Sequence, residues 1–136
     1  MTTPGVTTPG VTTRVLVIVE DEDDMRVLIR GLLARDPRLE ILGEATSAAE
    51  AVAAARRHGP GLIILDHFLD GPVTGLDAAP ALKAVAADAK ILLFSAFDLA
   101  TEARRSPHVD AYLAKDQPQR LLPLAQRLLD LSPLAA

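Results

Sequence analysis

The sequence predicts an α/β fold with a doubly wound parallel sheet, and three observations carry that prediction. Short unbroken apolar runs recur at residues 15–19, 61–65, 91–94 and 112–114, the pattern of strands buried on both faces. Between them lie stretches whose apolar residues repeat at helical spacing, so that strands and helices alternate with short crossovers. Each run also stops at a reactive polar group: Glu20-Asp21, Asp66, Ser95 or Lys115. In an open parallel sheet the carboxyl ends of the strands share one edge, and ligands bind in the crevice there. The pattern therefore gathers these five residues into one candidate site.

Composition bounds what such a site can be. The 136 residues suit one domain with a single well-formed core. Hydrophobic residues make up 49% but aromatics only 3%, so that core must be built from Leu, Val, Ile and Ala. A net charge of -4 argues against nucleic acid as a direct partner, which needs a clustered basic face. The doublets Arg56-Arg57 and Arg104-Arg105 read as solvated helix ends. Without cysteine there is no disulfide framework, no thiolate metal site and no cysteine nucleophile. The longest apolar run falls far short of the ~20 residues of a membrane span, so no membrane partner and a cytoplasmic location are expected.

Taken in order, residues 1–13 repeat Thr-Thr-Pro-Gly-Val. Pro-Gly pairs favour turns, and so few large apolar groups cannot offset the entropy of ordering, so a disordered tail is expected. It lacks the basic start and apolar centre of a signal peptide. Residues 14–19 form the first strand. Met25, Leu28, Ile29, Leu32 and Leu33 then fall at i, i+3, i+4, i+7 and i+8, a helical stripe closed by Asp36-Pro37. Asp23 and Asp24 are accounted for as carboxylates at a helix start; Glu20, at the strand end, is not. Residues 39–45 make a second, more polar strand suited to a sheet edge. Ser47 caps an Ala-rich helix that runs to about Arg57 and ends at Gly59-Pro60.

The third strand delivers Asp66. A loop over residues 67–74 follows, with its turn at Asp70-Gly71-Pro72, and Gly75 opens a helix in whose first turns Pro80 is expected to displace or kink the start. Residues 90–94 form the fourth strand, and residues 98–105 give only two turns of helix before Pro107, marginal in isolation. The fifth strand spans residues 109–113. Pro118 then begins a final helix through Leu131, interrupted early by Pro123, and residues 132–136 are a terminal tail.

Three carboxylates within a few ångströms repel at about 4 kcal/mol per pair at 4 Å and an effective dielectric near 20. A small hard divalent cation removes that conflict, and Mg²⁺ is typically held by one or two carboxylates with positions left for water and phosphate oxygens. Carboxylates, a hydroxyl and a lysine around such a cation form a phosphoryl-transfer constellation, with an Asp carboxylate able to act as nucleophile. Taken singly, Ser95 also reads as a helix cap and Lys115 as a surface amine. Agreement of four strand ends favours a site.

This ordered set resembles the acidic pair, phosphoacceptor Asp, Ser/Thr and Lys of bacterial response-regulator receiver domains, over roughly residues 14–131. The segment Ala111-Tyr112-Leu113-Ala114-Lys115-Asp116 is similar to the end of receivers that precede DNA-binding domains, and Tyr112 matches the family's rotameric aromatic switch. The resemblance implies a flavodoxin-like five-stranded sheet in order 2-1-3-4-5, and phosphorylation of Asp66 by a histidine kinase or phosphotransfer protein. It implies Mg²⁺ on Asp21, Asp66 and the backbone carbonyl of Phe68, with Glu20 acting mainly through water. Catalytic roles fall to Asp66, Ser95 and Lys115, and switch roles to Ser95 and Tyr112. In receivers the side chains two positions after the Asp and after the Ser/Thr flank the path of the hydrolytic water. Here these are Phe68 and Phe97, which also read as packing against each other.

Two departures from the family pattern stand out. Asp70 occupies a position usually held by Pro and Gly75 arrives one residue late; the chain between Ser95 and Lys115 is about two residues short. That shortage falls on the fourth helix, so no dimer face is assigned. With no output domain read after residue 131, a downstream effector protein is expected as partner, unless the chain is a fragment of a longer regulator. An enzymatic alternative resembles haloacid-dehalogenase phosphatases, with Asp21 of Asp21-Glu22-Asp23 as nucleophile. A third reading is a receiver-like interaction module that is never phosphorylated.

Overall fold

A computed structural model describes residues 14–134. The expected tail at residues 1–13 and the last two residues of the chain lie outside these.

Five parallel strands are ordered β2-β1-β3-β4-β5: β1 (Arg14–Val19), β2 (Leu39–Ala45), β3 (Leu62–Leu65), β4 (Lys90–Ser95) and β5 (Ala111–Ala114). The helices between and after them are α1 (Asp23–Leu33), α2 (Ala48–His58), α3 (Gly75–Val85), α4 (Ala100–Arg105) and α5 (Leu121–Leu128), the last preceded by a 3₁₀ turn over Pro118–Arg120. The central strand is β3, whose four side chains are each at most 1% exposed. This is the expected flavodoxin-like doubly wound fold.

Alternation along the strands sends side chains to two cores. Val17, Val19, Ile63, Leu65, Ile91 and Leu93 meet α2 and α3 through Ala51, Ala55, Ala78, Ala79 and Leu82. Leu16, Ile18, Leu62, Ile64, Leu92 and Phe94 meet α1 and α5 through Ile29, Leu33, Leu121, Ala125 and Leu129. Ser47 accepts the Glu50 amide at the start of α2, and Gly59 takes the left-handed conformation that ends it. Between β1 and β2 the register slips: Leu16 pairs with Ile41 and Val17 with Gly43, which leaves Leu42 unpaired and 45% exposed.

Several boundaries differ from the sequence reading, α4 among them, which starts at Ala100 rather than residue 98. Pro80 neither displaces nor interrupts α3, which starts at Gly75 under a Thr74 cap and runs on to Val85; the proline ring lies on the exposed side. β5 starts at Ala111 rather than residue 109. The Asp110 carboxylate instead accepts the Ile91 amide at 2.8 Å and the Lys83 ammonium at 2.9 Å. Pro123 sits in the first turn of α5, where its missing N–H costs no helical bond, and the helix stops at Leu128 before Asp130, which has φ 56°.

A buried ion pair joins distant parts of the chain. Asp36 is fully buried between α1 and β2 and receives Arg38 Nη2 at 2.8 Å, Arg38 Nε at 3.0 Å and Gln126 Nε2 from α5 at 3.0 Å. Arg38 also donates to the Ser132 carbonyl at 2.6 Å. Arg38 outweighs the effect of burial and holds the Asp36 carboxyl down at about 2.

Candidate functional site

Backbone ladders continue one residue past the strands and thereby aim the site residues. The Glu20 amide donates to Ala45 O, the Asp66 amide to Val19 O and the Lys115 amide to Ser95 O, each at 2.9 Å. Glu20, Asp66 and Lys115 are thus fixed by neighbouring strands rather than by free loops. Gly75 holds Asp66 from behind: its amide donates to His67 O at 2.7 Å, and a Cβ there would lie 2.2 Å from the Asp66 carbonyl oxygen. Only glycine permits that approach.

The structure brings Glu20, Asp21, Asp66, Ser95 and Lys115 to one edge. A pocket of about 240 Å³ is lined by Asp21, Glu22, Asp66, Phe68, Ser95, Ala96, Phe97 and Lys115. Lys115 Nζ lies 2.8 Å from Glu20 Oε1 and 3.2 Å from Asp66 Oδ2. Asp66 Oδ1 accepts the His67 amide at 2.8 Å, and Ser95 Oγ accepts the Phe97 amide at 3.3 Å. Glu20 is 1% exposed and is not part of the pocket lining; its Oε2 accepts the Glu22 amide at 3.2 Å. Tyr112 on β5 donates its hydroxyl to the Phe97 carbonyl at 2.6 Å.

Charge at the site is unbalanced. Burial pushes the Glu20 carboxyl up to about 7, although Lys115 pulls the other way. Burial raises the Asp66 carboxyl too, again against the Lys115 ammonium. Burial would lower Lys115, but the Glu20 and Asp66 carboxylates outweigh it and hold the amine above its ordinary value. One ammonium for three carboxylates leaves negative charge that a cation can satisfy. Glu20, Asp21 and Asp66 each offer a carboxylate oxygen, and these atoms lie within 4.8 Å of one another. Hard oxygen donors, with Asp21 and Asp66 lining the pocket, fit Mg²⁺.

Several contributors escape sequence reasoning. Arg26 on α1 donates to the Glu20 carbonyl at 2.7 Å and pairs with Asp23; the (i, i+3) spacing of that pair was a visible signal. His67 Nδ1 accepts the Leu76 amide at 3.4 Å, and its ring meets Phe68 edge-on with centroids 4.8 Å apart. Nothing local in the sequence announces either contact. Phe68 and Phe97 do pack against each other, with ring centroids 4.7 Å apart and planes at 62°.

An acid-lined pocket at the carboxyl edge of a 2-1-3-4-5 parallel sheet, with a lysine reaching two carboxylates, places the chain in the class of doubly wound α/β domains whose ligand crevice lies at that edge. Within that class, the family profile of the response regulator receiver domain matches residues 16–126, and the chain belongs to that family. Receivers are components of bacterial two-component signalling and bind Mg²⁺ at an acidic pocket.

Among relatives, a nitrate/nitrite response regulator homologue of Haemophilus influenzae is 30% identical over 83% of this chain and 55% of its own length. The nitrate/nitrite response regulator NarP of Escherichia coli is 33% identical over 79% of this chain and 50% of its own. The chain thus spans about half the length of these curated relatives. A LuxR-family two-component response regulator from an Aurantimonas species superposes with a TM-score of 0.80 at 25% identity, over 88% of this chain and 86% of its own. The response regulator domain of Thermotoga maritima CheB gives 0.75 at 20% identity, over 90% and 99%. The family match sets aside the phosphatase alternative with Asp21 as nucleophile. No helix among the described residues is long and apolar enough to cross a membrane.

Proposed function

We propose that this receiver accepts a phosphoryl group on Asp66 from a histidine kinase or phosphotransfer protein and signals through a downstream effector protein, with residues 14–131 as the working unit. The observation that supports this most is the placement of Asp66: it ends the central strand, lines the pocket and touches Lys115 while sharing that lining with Ser95. In the step, an Asp66 carboxylate oxygen attacks phosphorus. An O–P bond forms as the donor's N–P bond breaks, and the electron pair leaves on the imidazole nitrogen, which takes a proton from water. Lys115 offsets charge on the phosphoryl oxygens, and the Ser95 hydroxyl donates to one of them.

Asp21, Asp66 and the Phe68 carbonyl would hold Mg²⁺, and Glu20, buried beneath the pocket lining, would act through water. When bound, the ion supplies charge neutralisation at the phosphoryl group. Ser95 and Tyr112 form the switch: the Tyr112 hydroxyl grips the loop that Ser95 opens, so a pull on Ser95 changes the surface around β5. The domain turns over no external substrate; it promotes only its own phosphorylation and dephosphorylation.

Intact mass after acetyl phosphate treatment tests this reading. Wild type should gain one phosphoryl group only with Mg²⁺ present, and Asp66→Asn none. Undiminished labelling of Asp66→Asn, or no gain by wild type with any phosphodonor, overturns it.

A further inference from the structure

The fold sorts charge between its two edges. Every crossover helix runs back from the carboxyl edge of the sheet, so helix starts gather around the pocket and helix ends gather at the far edge. Basic residues occupy the last turns: Arg30 in α1, Arg56 and Arg57 in α2, Lys83 in α3, and Arg104 and Arg105 in α4. Carboxylates suit the helix starts for the same dipole reason, and they crowd the pocket side.

Glu22, Asp23, Asp24, Asp70, Asp98 and Asp116 are all exposed on the loops and first turns around the site. The nearby cations are engaged: Lys115 by Glu20 and Asp66, Arg26 by Asp23 and the Glu20 carbonyl. Arg120, at the 3₁₀ turn, is the nearest other cation along the chain; it donates to the neutral side chain of Gln117 and so keeps its charge, one against the six carboxylates. Inside this ring, at the pocket mouth, sit the two apolar rings of Phe68 and Phe97, 51% and 57% exposed.

We infer that the face covering Asp66 during phosphotransfer belongs to a protein with an apolar centre ringed by lysine and arginine side chains. This rests on the phosphoacceptor reading above and names the chemistry of its donor. The aromatic pair offers a dry centre for burial, and the carboxylate ring steers and orients a basic rim while repelling anionic surfaces. A small anionic phosphodonor finds only Lys115 and a bound cation inside the ring to offset its charge; a protein donor with a basic rim also satisfies the outer carboxylates.

The test uses the whole chain, metal-free and unphosphorylated, with an amphipathic Leu/Lys helical peptide as probe and a Leu/Glu peptide as control. Amide NMR shifts should concentrate at residues 66–73 and 95–98. Affinity should fall about tenfold when Asp24→Asn, Asp98→Asn and Asp116→Asn are combined, and should fall again as salt is raised on wild type. Phe97→Ser should weaken binding with the fold unchanged, and the Leu/Glu peptide should not bind. Shifts centred elsewhere, affinity unchanged in the triple variant, or salt-independent binding would overturn the inference. Because no phosphorylation is involved, failure here counts against the docking face alone, whereas failure of Asp66 to gain mass counts against the phosphoacceptor reading.

Discussion

Replacing Gly75 with alanine should damage both the fold and the site, and the geometry gives the scale. The added Cβ would stand 2.2 Å from the Asp66 carbonyl oxygen, 2.9 Å from its carbon and 3.0 Å from His67 Cα, where ordinary contact begins at 3.4 Å. All three are backbone atoms, so no side chain can swing away. Either the start of α3 or the end of β3 must move by about 1 Å, and overpacking of this kind costs about 1–3 kcal/mol. Alanine regains less than about 1 kcal/mol of helix propensity, and little of that at a first-turn residue. The clash therefore wins, and Tm should drop by about 5–15 °C. Displacing Asp66 by that distance should slow its phosphorylation by about 100-fold at a temperature where the variant is still folded. Gly31 supplies the control: it is exposed in the last turn of α1 with nothing within 4 Å of an added Cβ, so Gly31→Ala should raise stability, by up to about 1 kcal/mol. Thermal melts and acetyl phosphate labelling of both variants make the comparison. A Gly75→Ala protein that melts and labels like wild type would refute the close-approach argument.

The other expectations concern the metal, the lifetime of the signal and acid stability. Asp21→Ala should weaken Mg²⁺ binding more than Glu20→Gln, whose loss should stay within the ~10 to 100-fold typical of outer groups; equal effects in a Mg²⁺ titration would contradict the assignment. Phospho-Asp66 should decay slowly, because Phe68 and Phe97 at the pocket mouth cannot orient a water for in-line attack. Phe68→Asn or Phe68→Glu should speed the decay once donor is removed, and wild-type decay as fast as theirs would show no shielding. The Asp36 carboxyl, lowered from 3.8 to about 2 mainly by Arg38, contributes stability that is present above pH 3.8 and lost as pH falls through about 2. That shift is worth about 1–2 kcal/mol once solvent around the partly exposed Arg38 is allowed for. Urea midpoints between about pH 5 and pH 2.5 should fall less steeply for Asp36→Asn than for wild type, and parallel curves would count against the pair.

Legibility in the sequence followed the range of the interaction. Strand β3 and its terminal Asp66 could be read because an unbroken apolar run is a local signal, and the shared edge of parallel strands then assembled Glu20, Asp21, Ser95 and Lys115 without any knowledge of contacts. The Ser47 cap and the Gly59 stop were equally local. The start of β5 was misplaced because β-branched Val109 reads as strand, while Asp110 beside it is held by Ile91 and Lys83 from other elements. The Asp36–Gln126 contact spans 90 positions and leaves no periodic trace. Gly75 was legible as a helix start, but its pressure on the Asp66 carbonyl depends on how α3 returns to the sheet.

The unpaired Leu42 has a consequence for the protein in crowded solution. An incoming strand that tried to extend the sheet beyond β2 would meet a ladder whose repeat is broken midway, with the charged side chains of Glu40 and Glu44 on either side of the break. In-register addition on one half would put the other half out of step, so end-to-end growth into a ribbon of many molecules stalls at its first layer. At the opposite margin β5 offers only four residues, too short a template to seed such growth on its own.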